Sequence, residues 1–152
     1  MTQSELITSF YQSFQNRDSE GMVACYHPEV RFSDPVFSDL QGPRAGAMWR
    51  MLVGGGADLE LTFSDVTDDS AKWEARYSFG PKKRAVHNII SAKFRFQDDL
   101  IIEHTDSFDF WRWSKMALGL PGVLMGWTPF LQNQVRKTAG NNLEKFIAKN
   151  GL

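Results

Sequence analysis

Near residue 57 the apolar side chains change their spacing from a period of about 3.6 residues to a period of 2, and this change constrains the fold more than any other feature. Before it, Leu6, Ile7, Phe10, Tyr11 and Phe14 form a stripe at helical spacing behind a capping Ser4, which predicts a helix to about Asn16. Asp18 or Ser19 starts a second, short helix with Met22, Val23 and Tyr26, ended by Pro28. A short strand follows in EVRFSD (29–34), and RAGAMWRMLV (44–53) reads as a third helix stopped by Gly54, Gly55 and Gly56. Beyond the change, DLELTFSDV, AKWEARYSF, AVHNIISAKFRF and LIIEHTDSFDF are runs rich in β-branched and aromatic residues, separated by TDDS, GPKKR and QDD. Strands joined by connections this short must be antiparallel neighbours.

Helices followed by a meander predict an α+β domain, with the helices packed on one face of a curved antiparallel sheet. Where the helices do not fill the concave side, a pocket remains. The chain is expected to be one domain over residues 1–152, with a core at about 3–111 and a C-terminal helical extension at about 112–150, including a final helix from about Pro129 to Lys149. Its 152 residues, 42% hydrophobic, are enough for a sizeable core. A net charge of −1 gives no general electrostatic reason to expect nucleic acid or an anionic membrane as partner, and the short basic run Lys82, Lys83, Arg84 reads as a solvated hairpin tip. Cys25, the only cysteine, suits a reducing compartment. No signal-peptide pattern opens the chain, and the most apolar segment, ALGLPGVLMGWTPFL (117–131), is too short and too broken by proline and glycine to span a bilayer. A cytoplasmic protein with no membrane span is the expectation.

The stretch HTDSFDFW (104–111) concentrates the chemistry. On a strand, Ile102, His104, Asp106, Phe108 and Phe110 share one face, so an imidazole and a carboxylate lie on an otherwise apolar wall. Burying either without a partner costs several kcal/mol, so each must be paired, solvated by a cavity, or used.

Two motifs and the order of elements resemble the nuclear transport factor 2-like superfamily, a cone-shaped, cystatin-like α+β fold that includes ketosteroid isomerases, limonene epoxide hydrolases and SnoaL-like polyketide cyclases. The first is VRFSDPVFSDLQG (30–42): its Asp34-Pro35 is similar to the pair that supplies the isomerases' general base. At the family's spacing the isomerases' donor tyrosine falls on Phe10, with Tyr11 beside it, and their protonated aspartate near Ala92; neither Phe10 nor Ala92 can donate from its side chain. The second motif is TDSFD, which resembles an epoxide hydrolase strand end and places Asp106 as the water-activating carboxylate. In EARYSF, Arg76 falls at the carboxylate-bridging arginine and Ser78 where the acid should be. His104 beside Asp106 is similar in kind to the acid/base pair of the cyclases.

The resemblance implies a catalytic set of Asp34, Asp106, His104 and Arg76, and a homodimer through the sheet. Phe10, Trp49, Asn88, Phe108 and Trp111 are the candidate ligand-binding residues; Asn88 shares the parity of Val86, Ile90 and Ala92, whereas His87 faces away. Each has a structural counterpart reading: Asp34-Pro35 as a turn, His104 as a satisfied core histidine, and Asp106 with Arg76 as an ion pair. Residues 112–130 read as a lid, a core element or an interface. No metal motif and no phosphate-cradling glycine loop appears, so neither metal nor organic cofactor is expected. The expected function is binding of a small apolar molecule, polycyclic, terpenoid or steroid-like, with isomerase, hydrolase or cyclase chemistry. The alternative is a non-catalytic ligand-carrying or protein-interaction domain.

Overall fold

A computed structural model describes residues 1–56 and 58–152. Helix α1 (Gln3–Gln15) is capped by Thr2 rather than Ser4, in a capping box: the Thr2 hydroxyl accepts from Glu5 N–H, and the Glu5 carboxylate accepts from Thr2 N–H. Leu6, Ile7, Phe10, Tyr11 and Phe14 are buried along its inner face, the stripe that the periodicity predicts. Asp18 caps α2 (Ser19–Ala24), and α3 (Pro43–Gly55) runs to the glycine triplet.

The strands are β1 (Tyr26–Ser33), β2 (Leu40–Gln41), β3 (Glu60–Ser64), β4 (Ser70–Phe79), β5 (Arg84–Gln97) and β6 (Leu100–Ser107). They form a single curved, unclosed sheet in the order β2-β1-β6-β5-β4-β3. The meander β3 to β6 is antiparallel throughout; β1 joins its far side parallel to β6, with Phe32 beside His104. Between β1 and β6 the chain passes through β2, α3, β3, β4 and β5, a connection long enough to permit the parallel pairing.

A bulge alters the alternation in β6. Phe96 pairs with Ile101 and Arg95 with Glu103, so Ile102 is the extra residue. The inward set is therefore Ile101, His104 and Asp106, in place of the Ile102 that strict alternation selects. The outer face is polar: His87 meets Glu74 at 2.7 Å and Arg95 meets Glu103 at 2.8 Å.

The C-terminal extension consists of α4 (Phe110–Leu118), α5 (Leu120–Met125) and α6 (Pro129–Asn150). Helix α5 folds back on α4 because Gly122 has no side chain: a Cβ there would lie 2.0 Å from the Ser114 carbonyl oxygen. Helix α6 closes over the concave side and buries Leu143 completely. No described helix is long and apolar enough to cross a membrane.

Candidate functional site

A cavity of about 690 Å³ lies between the concave sheet face, α3, α4 and α6, within the size range of small-molecule pockets. Its wall is mostly apolar, with Trp49 from α3, Trp73 and Ala75 from β4, and Val135 and Ala139 from α6. Into it come two carboxylates, Asp34 from the turn after β1 and Asp106 from β6.

Asp106 is 3% exposed and stands at the end of a chain of hydrogen bonds that runs into the core. Its Oδ1 lies 2.9 Å from His104 Nε2 and 3.4 Å from Trp73 Nε1. His104 Nδ1 lies 2.8 Å from the Tyr26 hydroxyl, which in turn accepts from Trp49 Nε1 at 2.8 Å. The order of donors assigns the tautomer. Trp49 can only donate, so the Tyr26 oxygen accepts from it and Tyr26 turns its own proton to His104 Nδ1. The ring proton of His104 then sits on Nε2 and points at Asp106 Oδ1.

His104 itself is fully buried, enclosed by the rings of Phe10, Phe32, Trp49 and Phe94, with the Phe94 centroid 4.4 Å away. Asp106 Oδ2 and the Tyr11 hydroxyl are buried polar atoms with no hydrogen-bond partner among the described residues. An unpaired buried oxygen is costly, and for Asp106, which lines the cavity, a ligand can supply the partner. Burial pushes the Tyr11 phenol well above its ordinary range, and the nearby charge of Asp106 adds to this.

Asp34 is held by a local turn: its Oδ1 accepts from the backbone N–H of Val36 at 2.7 Å and of Phe37 at 2.6 Å. The turn is clamped from α6, where Gln132 Nε2 and Arg136 Nε both donate to the Pro35 carbonyl, at 3.0 and 2.9 Å. Burial raises the Asp34 carboxyl to about 7, a shift opposed by the Phe37 N–H and reinforced by the charge of Asp106. Tyr77 also lines the cavity and accepts from Trp113 Nε1 at 2.8 Å, which leaves the phenol proton available to a ligand. Burial raises the Tyr77 phenol; the Trp113 N–H opposes this and the charge of Asp34 adds to it.

Of the sequence candidates, Asp34, Asp106, Trp49, Asn88 and Phe108 line the cavity, and His104 backs Asp106 from behind. His87 faces the outer surface, as its parity predicts. Three candidates are corrected. Arg76 is exposed on the outer face of β4, in register with Glu60 and His87, because it alternates with Ala75 and Tyr77, which take the inner face. It bridges neither cavity carboxylate. Phe10 lies in the core with zero exposure, packed on Tyr26, Trp49 and His104, and is absent from the cavity wall. Trp111 is 41% exposed on the outside of α4, its ring under Lys115 and its Nε1 donating to the Val123 carbonyl.

Sequence reasoning missed Tyr26, Trp73 and Tyr77. Tyr77 and Trp73 share parity with Ala75, so the alternation of β4 carried the signal for both. Tyr26 had none, because its partners Trp49 and His104 are distant in the chain. Among the described residues no cluster of three or more His, Cys, Asp or Glu side chains is arranged to hold a metal ion.

The comparisons with known proteins agree with this architecture. The family model of the SnoaL-like domain matches residues 7–104, more than half of the chain. The match spans the helices and most of the sheet and stops before Asp106 and the C-terminal helices. No curated protein matches the sequence. Among solved structures, an epoxide hydrolase of the LEH-like type from M. tuberculosis superposes with a TM-score of 0.60 at 20% identity, over 80% of this chain and 94% of that one. An NTF2-like protein of unknown function from Burkholderia pseudomallei gives 0.61 at 16% identity, over 76% and 98%. TerC, co-crystallised with polyporic acid, gives 0.62 at 16% identity, over 75% and 96%. At these identities the likeness is one of fold.

Proposed function

The chain belongs to the SnoaL-like domain family, and from that premise we propose that it binds a small apolar ring compound in the cavity and moves a proton between a carbon and an oxygen of that compound. The observation that carries this reading is a pair of carboxylates, Asp34 and Asp106, on an otherwise mostly apolar wall, with Asp106 held by His104.

The roles follow from geometry. Asp106 Oδ2, with no partner in the protein, takes a proton from the carbon next to a carbonyl. His104, Tyr26 and Trp49 are positioning residues: they fix the Asp106 carboxylate through its other oxygen. Asp34, raised to about 7, is substantially protonated at neutral pH and donates to the carbonyl oxygen as negative charge develops there. Tyr77 adds a second donor on the same wall. The proton that leaves carbon goes to Asp106, the oxygen gains its hydrogen bonds from Asp34 and Tyr77, and return of the proton to a different carbon completes an isomerisation. If the enolate instead attacks a second carbonyl of the same molecule, the new carbon–carbon bond forms as that C=O π bond breaks, and the proton held by Asp106 passes to the resulting alkoxide, which completes ring closure. The position of Arg76 outside the cavity directs the reading away from an arginine-bridged epoxide hydrolysis. In this reading the protein is a cytoplasmic homodimer that associates through the sheet.

The test is a thermal-shift screen of ring ketones and enones, followed by NMR detection of deuterium exchange at the carbon next to the carbonyl. Ligands that raise the melting temperature and exchange with wild type but not with Asp106→Asn support the reading. Ligands that bind without exchange make the domain a carrier, and a panel that neither binds nor exchanges overturns the proposal.

A further inference from the structure

A concentration of exposed large apolar side chains lies outside the cavity, on α5, the turn after it and the start of α6. Leu120, Leu124, Trp127 and Phe130 are each 60–68% exposed within eleven residues. Side chains this large are seldom left in water together unless the patch has an occupant. The charges along this part of the chain are of one sign. From Phe110 to Leu143 the chain carries Arg112, Lys115, Arg136 and Lys137 and no Asp or Glu, although the whole protein has a net charge of −1.

The basic hairpin tip is brought to the same place. Arg84 Nε donates to the Met116 carbonyl at 2.9 Å, and its guanidinium packs against Gly119, which has φ +70 and opens the turn into α5. Lys82 and Lys83 are exposed on the same tip. Lys115 sits 3.9 Å above the Trp111 ring at the edge of the patch. The result is an exposed island of leucine, tryptophan and phenylalanine with cations at its edge.

We propose that this face docks the protein onto an anionic lipid bilayer, with Leu120, Leu124, Trp127 and Phe130 inserted at the level of the headgroups and Lys82, Lys83, Arg84 and Lys115 against the lipid phosphates. Tryptophan and leucine at that depth, with lysine and arginine reaching the headgroups, is the pattern of proteins that lie on a membrane without crossing it. Charge also decides against a second copy. Two such faces brought together oppose cation to cation, with no acidic residue from 110 to 143 to relieve them. The segment is continuous with the cavity wall, since Leu118 before it and Leu131 after it both line the cavity. Delivery of an apolar ligand from the bilayer into the cavity therefore needs no passage through bulk water. That last step rests on the cavity reading above, whereas the docking does not.

The experiment is flotation of the full chain with vesicles of phosphatidylcholine alone and of phosphatidylcholine containing roughly 30% phosphatidylglycerol. Wild type is expected to float with the anionic vesicles and to be released by about 0.5 M salt. Leu124→Glu/Trp127→Glu should weaken vesicle binding at least tenfold, on the order of what burying two large apolar side chains supplies, while the melting temperature stays within about 2 °C because both side chains are exposed. Lys82→Glu/Lys83→Glu should weaken it at least threefold, as loss of headgroup attraction requires. Wild type that stays unbound at low salt, or a Leu124→Glu/Trp127→Glu variant that floats like wild type, overturns the proposal. Sedimentation velocity that shows a dimer abolished by the same pair, without vesicle binding, gives the face to a second copy and overturns it as well. Ring-ketone binding in vesicle-free buffer, sensitive to Asp106→Asn, reads the cavity separately.

Discussion

Asp34→Asn should make the protein more stable at alkaline pH, an unusual outcome for replacing a residue at a candidate site. Burial raises the Asp34 carboxyl from its ordinary 3.8 to about 7, so the folded protein holds a proton that the unfolded chain releases. A group raised on folding contributes stability fully below the unfolded value, and that contribution is lost as pH rises through the folded one. Between pH 5 and pH 8 the linkage relation gives a loss of about 2 to 3 kcal/mol, at roughly 1.4 kcal/mol per unit, the lower figure allowing for the partial exposure of Asp34 to solvent. Asparagine is the neutral isostere of the protonated acid, and its carbonyl oxygen can still accept from Val36 and Phe37. The lead of the variant over wild type should therefore grow by about 2 to 3 kcal/mol between about pH 5 and about pH 8, or by roughly 5 to 10 °C for a domain of this size. Urea unfolding followed by tryptophan fluorescence at the two pH values measures the difference, and titrating groups that do not feel the Asp34 charge cancel between the two proteins. An advantage of the same size at both pH values, or a variant less stable than wild type at the higher pH, refutes the reasoning.

Two further outcomes separate the buried relay from the outer surface. Tyr26→Phe removes the hydroxyl that joins Trp49 Nε1 to His104 Nδ1 and leaves both buried without a partner. It should cost about 2 to 4 kcal/mol in urea unfolding. Wild-type stability would show that the chain of hydrogen bonds is not formed. Arg76→Ala should change stability by less than about 0.5 kcal/mol and leave ring-ketone affinity unchanged; a tenfold loss of affinity in the thermal-shift assay would return Arg76 to the cavity.

Much of the site was legible where the information is local. Alternation on β5 places Asn88 inward and His87 outward, and the Asp34-Pro35 motif locates a turn that holds its carboxylate against two backbone N–H groups. Arg76 shows the limit of a motif. It matches an arginine position by resemblance, but Trp73, Ala75, Tyr77 and Phe79 hold the opposite parity, and burial of four mostly apolar side chains outweighs a cation that can stay hydrated on the other face. In β6 the bulge at Ile102 returns His104 and Asp106 to the inner face alongside Ile101, and no local signal announces a bulge. Phe10 follows the helical stripe correctly, yet the stripe cannot say whether its inner face meets core or cavity.

The sequence alone determined the order of elements and the faces they present, because periodicity and turn chemistry act over a few residues. It also determined that an imidazole and a carboxylate would stand on an apolar wall. Only the tertiary structure decided what those groups do for one another. Tyr26, Trp49 and His104 come from β1, α3 and β6, and the proton order that fixes Asp106 exists only once those elements pack. The raised carboxyl of Asp34 depends first on its burial in the packed fold and, to a lesser degree, on Asp106 lying near enough to repel charge. Burial and electrostatic coupling depend on distance in space, and neither is a function of separation along the chain.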